Sequence, residues 1–313
     1  MPPLPPIGMI REILLQGVIP PIVAAGSVLF VTSRLGKRLV PIGAMLAVVV
    51  GFVVGNHFRS ATEYRIDSER PLALGEWGAE VYHAVLGTPE ASEDAPRHPP
   101  AHYWLVWSAL IAGVVGAIAG IPGVPVAIGW LARVIVCAFV ARLLVPASLR
   151  AELPWLWPTF AAVVLAEWAL LDKLGEEPRG WLPLGIGLVF SAGAAVLIHA
   201  HEARLTDLAT ILAGCWFGVA IAVWMGANAR SAAPIAAVAL PGLMLVGQQS
   251  TFSEVPLTSF VAMALAPLAL VPLLLPALRR RKKTLALVGL GLLLIVVGTA
   301  IVLAARAESL DFE

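Results

Sequence analysis

Ten apolar runs, each about as long as a bilayer is thick, fill most of this 313-residue chain. A hydrocarbon core of about 30 Å takes about 20 apolar residues per helix. The runs cover 13–33, 39–55, 101–120, 124–149, 154–171, 181–198, 208–226, 232–247, 257–278 and 284–305. They are continuous, not alternating, so they are not the strands of a barrel. In lipid the backbone must bond within its own segment, which leaves helices. The expected fold is all-α: a polytopic integral membrane protein with a bundle of about ten transmembrane helices. Composition agrees. Hydrophobic residues make up 59% and charged residues 13%, against about 25% charged in soluble domains. Mean hydropathy is +0.88.

Charge gives the bundle a direction. One set of turns (34–38, 121–123, 172–180, 227–231 and 279–283) carries eleven Lys/Arg and three acids. The other set, with both termini, carries eight Lys/Arg and sixteen acids. The positive-inside rule places the first set in the cytoplasm and both termini outside. The acids leave a negative field on the outer face. The basic run Arg279–Lys283 reads as a stop-transfer signal and anionic-lipid anchor, or as a protein-docking patch. One base, Arg11, precedes the first run. A cleavable leader needs a positively charged n-region and a shorter apolar core, so that run is expected to remain as helix 1.

Helices 1–2 occupy 1–55, and helices 3–10 occupy 101–313 in the same membrane domain. Between them, 56–100 is an extracytoplasmic loop. Within it, Pro71 suits a first helical position and Gly87 a stop, so 71–86 is predicted to be helical. Leu74, Trp77 and Val81 fall on one face; Glu76, Glu80 and His83 fall on another. This is an amphipathic outer-side helix. The spacings Gly51-x3-Gly55, Gly116-x3-Gly120 and Gly214-x3-Gly218 predict close helix packing. Prolines 234, 241, 256, 267, 272 and 276 crowd helices 8 and 9 and predict kinks. The polar stretch 247–256 is either an outer loop or a re-entrant element lining a cavity.

Two ionisable residues stand inside the runs. Arg133 lies near the middle of helix 4 and Glu167 in the inner part of helix 5. Such charges cost about 2.5–3.5 kcal/mol each on insertion scales and usually pair. An Arg133–Glu167 salt bridge is the expectation, either on a substrate or proton path or as a structural lock. Gln248, Gln249 and Glu254 are further path candidates. On the outer side, Glu76, Glu80, His83, His199, His201 and Glu202 form a second polar set. Glu80-x-x-His83 has the spacing of di-iron bundles, but those need two such motifs. His199 and His201 do not share a helical face. No metal site, cofactor or catalytic residue is predicted. Cys137 and Cys215 lie in apolar runs and read as packing thiols. No nucleophile triad, P-loop or dinucleotide fingerprint is present.

The leading reading is a secondary transporter or permease of a small solute, not an enzyme. A non-catalytic membrane subunit or scaffold is the first alternative. A membrane enzyme with an outward histidine–carboxylate site is the second. Expected partners are the lipid bilayer and other membrane subunits, with no nucleic acid at a net charge of +1. The expected location is the plasma membrane, as in the inner membrane of a bacterium.

Overall fold

The computed structural model describes residues 13–35, 40–60, 101–121, 123–175, 180–251, 253–275 and 282–310. Among them there are eleven α-helices and no strand. A π-helical turn, Ile13–Val18, leads into α1 (Ile19–Leu35). Then come α2 (Val40–Ser60), α3 (Ala101–Ala119), α4 (Val126–Leu144), α5 (Ala147–Glu152) and α6 (Leu156–Leu174). The rest are α7 (Trp181–His199), α8 (Ala203–Trp224), α9 (Ala233–Ser250), α10 (Leu257–Ala264) and α11 (Lys282–Leu310). A 3-10 turn, Arg230–Ala232, opens α9, and a 3-10 segment, Ala266–Leu274, follows α10.

Among the described residues, seven segments are long and apolar enough to cross a bilayer: Pro41–Phe58, Val126–Leu144, Trp181–His199, Ala203–Trp224, Arg230–Ser250, Leu257–Leu274 and Thr284–Ala307. Ile19–Leu35 and Trp104–Ala119 are apolar but shorter. Helix α6 carries Glu167, Asp172 and Lys173 and falls outside this set. Such a collection of helices is compatible with a multi-pass membrane protein. The outward faces of α4 and α11 support it: Val126 is 77% exposed, Leu287 73% and Ile295 68%. Soluble monomers rarely leave contiguous apolar faces to water. Helices α7, α8 and α9 form the middle, with most of their residues buried. Trp216 and Phe190 are the largest fully enclosed side chains of these three helices, and Trp168 of α6 and Phe260 of α10 are enclosed beside them.

Proline sets several boundaries. The run expected at 124–149 stops at Leu144, because Val145 is extended (φ −85°, ψ 114°) ahead of Pro146. Steric clash with a following proline ring disfavours the α conformation. The short α5 then restarts the chain. The run expected at 257–278 is α-helical only to Ala264, and Pro267 and Pro272 sit in the 3-10 stretch. Each proline lacks the N–H that an α-helix needs. Nine residues of 3-10 helix is long for a form that rarely exceeds 3–4. The polar stretch 247–256 divides: α9 runs through Ser250, and Thr251 turns extended. Helix α2 reaches Ser60, so the start of the expected loop at 56–100 is helical. The amphipathic helix expected at 71–86 lies outside the described residues.

Glycine brings α1, α2 and α8 together. A Cβ on Gly218 would collide with the Ile22 carbonyl oxygen and meet Gly26 N at 3.0 Å. On Gly51 it would lie 2.9 Å from both Ala25 Cβ and Cys215 Sγ. Cys215 uses the same closeness to donate its S–H to the Val48 carbonyl at 3.7 Å. The thiols of Cys137 and Cys215 are free and buried, as packing residues should be. Gly218→Ala therefore inserts a methyl against backbone that cannot swing away. We expect a loss of about 1–3 kcal/mol, read as a lower unfolding midpoint of the detergent-solubilised protein; an unchanged midpoint would refute the close seat.

Candidate functional site

An ion-pair cluster lies at the end of the bundle marked by Arg230. There the carboxylate of Asp172, in the last turn of α6, is held by two guanidiniums. Arg133 Nη2 donates to Asp172 Oδ2 at 2.9 Å. Arg230 donates through Nε to Oδ1 at 2.7 Å and through Nη2 to Oδ2 at 3.2 Å. The second pair is bidentate, the stronger kind of contact between arginine and carboxylate. Asp172 and Arg133 are nearly enclosed, with side chains 12% and 14% exposed, whereas Arg230 is 46% exposed. The Arg133 guanidinium lies 5.1 Å from the Trp130 ring centre and 5.3 Å from that of Trp168. Facing aromatic rings stabilise a desolvated cation.

Local folding places each member. Helix α6 continues past the apolar run to Leu174, carrying Asp172 with it. Helix α4 starts at Val126 behind Pro125 and puts Arg133 two turns in. Arg230 opens the 3-10 turn before α9, and its backbone N–H donates to Asn228 Oδ1 at 2.9 Å. The next residue, Ser231, donates its hydroxyl to the Pro41 carbonyl at 2.8 Å. Four elements (α2, α4, α6 and the α9 entry) are thereby tied at one end.

The expected Arg133–Glu167 salt bridge is absent. Glu167 is 0% exposed and neither carboxyl oxygen has a hydrogen-bond partner. The reason is rotational. Glu167 lies five residues before Asp172 on one helix, about 140° around the axis, and Arg133 meets the Asp172 side. The Glu167 face continues instead through Leu171 and Gly175, one and two turns on. Those two residues line a cavity of about 20 Å³ together with Ile186, Trp216, Asn228 and Arg230. It can hold about one water. The buried indole N–H of Trp216 has no partner. A second cavity of about 10 Å³ shares Leu171 and Ile186, and reaches Leu240, Pro267 and Leu270. A third and larger cavity, about 140 Å³, lies between α2, α3, α8 and α9 against Phe52, Leu105, Leu212 and Ile235, with no polar lining.

The other predicted residues lie at the opposite end, marked by His199. Gln248 and Gln249 close α9, half-buried, and Glu254 is exposed beyond it. Gln249 Nε2 has no partner. Thr251 joins this segment to the end of α7 by donating to the Ala200 carbonyl at 3.0 Å. That contact ties the end of α9 to the chain between His199 and His201. His201 holds φ 59°. Its N–H donates to Ile198 O, and Glu202 N–H donates to Leu197 O, both at 3.0 Å. This helix-ending pattern usually takes glycine. Among the described residues no three His, Cys, Asp or Glu could jointly hold a metal ion. Glu76, Glu80 and His83 lie outside the described residues. Outside the spans, burial and the neighbouring Arg142 cation push Arg150 down from its ordinary value; its guanidinium donates to the Arg142 carbonyl.

Comparison with protein-family models, curated proteins and solved structures finds no match.

Asp172 and Arg230 were not among the predicted residues. Their signal in the sequence is an acid and a base at the ends of two apolar runs, on the side where Arg133 enters. Removing Asp172 strands Arg133 between two indoles. Asp172→Ala is expected to cost about 3–5 kcal/mol, the range for breaking a buried pair. Arg230→Ala, at a half-exposed partner, is expected to cost about 1 kcal/mol or less. Chemical unfolding of the two variants in detergent checks the order; equal losses would contradict it.

Proposed function

We propose that this chain is a secondary transporter or permease of a small solute, crossing the plasma membrane ten times. The ten are the seven long apolar segments, the two shorter apolar helices and α6. The supporting observation is a juxtaposition. A span broken at Pro267 and Pro272 packs against α6, the helix that holds an enclosed, unpartnered carboxyl at Glu167. Interrupted helices in transporters expose backbone groups at a binding site. An unpaired acid in a spanning helix is expensive and is retained for function. Asp172, shared by Arg133 and Arg230, closes the cytoplasmic end as an ion-pair gate in the occluded form.

The positive-inside rule supports placing the Arg230 end in the cytoplasm and both termini outside, with 56–100 extracytoplasmic. Single cysteines on a background lacking Cys137 and Cys215 test this. Replacements in 56–100 should react with an impermeant maleimide added to whole cells, and replacements in 279–283 only after lysis. Both reacting from the same side would reject the topology.

Transport is tested in proteoliposomes under imposed proton and sodium gradients, with a panel of small organic solutes. Wild type should accumulate at least one member against its gradient, and Glu167→Gln should lose gradient-driven uptake while retaining the wild-type elution profile. No accumulation of any solute, or unchanged uptake by the variant, counts against the reading. A second reading, a non-catalytic subunit of a larger membrane complex, is favoured by the small polar-lined cavity at the Arg230 end, which holds about a single water. Co-purification of a stoichiometric partner with inactive proteoliposomes would select it.

A further inference from the structure

We infer that Glu167 is a proton-binding site loaded from the Arg230 end, with Leu171 and Ile186 as the apolar plug between it and water. The inference deepens the transport reading and rests on it for the proton's role as coupling ion.

The chemistry of the ligand follows from what surrounds the carboxyl. A hard metal cation such as Ca²⁺ takes 6–8 oxygen ligands. Glu167 offers two oxygens with no polar neighbour within hydrogen-bond reach, and the described residues contain no cluster of metal-binding side chains. A proton needs only the carboxyl itself. An isolated carboxylate in an apolar interior costs far more than its neutral acid. A site of this construction therefore holds the acid until water reaches it.

The route is set by the helix. Glu167, Leu171 and Gly175 follow one another at four-residue spacing on one face of α6. Gly175 and Leu171 line the small cavity at the Arg230 end, where Trp216, Asn228 and Arg230 provide polar partners for a water. The second, apolar cavity shares Leu171 and Ile186 with the first. Leu171, one helical turn from Glu167, and Ile186 thus border both spaces. Their rotation, or a shift of the 3-10 segment carrying Pro267 and Leu270, opens the passage. The step is a proton transfer with no redox change. An O–H bond forms on a Glu167 oxygen, an O–H bond of a hydronium in the cavity breaks, and water remains.

The charged groups around α6 are few. On α6 itself these are Asp172 and Lys173. Helix α4 contributes Arg133 and Arg142, with the thiol of Cys137. The turn before α9 contributes Arg230, and α5 contributes Arg150 and Glu152. Helix α9 and the 3-10 segment contribute none. Asp172 is taken by its two arginines, and among the described residues it is the one buried acid besides Glu167.

Infrared difference spectra of the full chain in lipid nanodiscs provide the test. Wild type should show a protonated-carboxyl band that shifts in heavy water, weakens as pH rises, and is lost in Glu167→Gln. Leu171→Ala should make its response to a pH jump faster. Dicyclohexylcarbodiimide, which attacks the acid form from the lipid phase, gives a measurement on wild type alone. Its adduct should map to the Glu167 peptide and decline with rising pH. No Glu167 band and no adduct at any pH would overturn the inference. So would a band indifferent to pH in both wild type and Leu171→Ala, because the carboxyl would then be structural. A pH-responsive band without solute uptake upholds the proton site and rejects transport. Uptake driven by sodium, without Glu167 protonation, rejects the inference and leaves transport standing.

Discussion

Hydrocarbon supplies no hydrophobic drive between helices, because lipid tails are as apolar as leucine. Association must come from close contact and from hydrogen bonds. The seat of α1 and α2 on α8 answers the first need: Gly26, Gly51 and Gly218 let backbones approach to within touching distance. The Asp172 cluster answers the second, by tying α4, α6 and the α9 entry through one carboxylate. Each device joins elements distant in sequence: Gly218 of α8 meets α1, and Asp172 of α6 meets Arg133 of α4 and Arg230 ahead of α9.

The interior is otherwise economical with polar groups. Glu167, Ser108, Ser259 and the Trp216 indole are enclosed without partners. Each such group carries a desolvation cost of about 1–3 kcal/mol, more for a charged one. A bundle selected for stability alone would replace Glu167 by an apolar side chain of similar volume. The Glu167 helix packs against a span that abandons α geometry, a pairing that the histidine end lacks. The histidine end is built differently. There Thr251 and the left-handed His201 shape two helix endings, and the groups are arranged by chain geometry instead of around a common point.

Apolar run length made the helical character legible: the described residues form helices and no strand, with seven segments long and apolar enough to cross a bilayer. Proline made the interruptions legible too: the kinks expected near 267 and 272 occur there as 3-10 helix. What hydropathy does not encode is rotation and where a helix stops. Ending helix 5 at 171 put Asp172 in a turn, so Arg133 was assigned the wrong acid. Three more residues of helix, and 140° of azimuth, decide between Asp172 and Glu167. The glycine spacings were legible as close packing, but their partners were not. Gly218 meets Gly26, which belongs to none of the predicted spacings. The same holds for Pro146, whose effect on Val145 splits a run that composition reads as continuous.

The tightened segment after α10 has a geometric consequence for its span. Eighteen residues of ordinary α-helix reach about 27 Å at 1.5 Å per residue, short of a hydrocarbon core of about 30 Å. With Ala266–Leu274 wound as 3-10 helix, at about 2.0 Å per residue, the same stretch reaches roughly 31 Å. Overwinding lets a short insert match the thickness of the membrane, so the two prolines that break the helix also lengthen it.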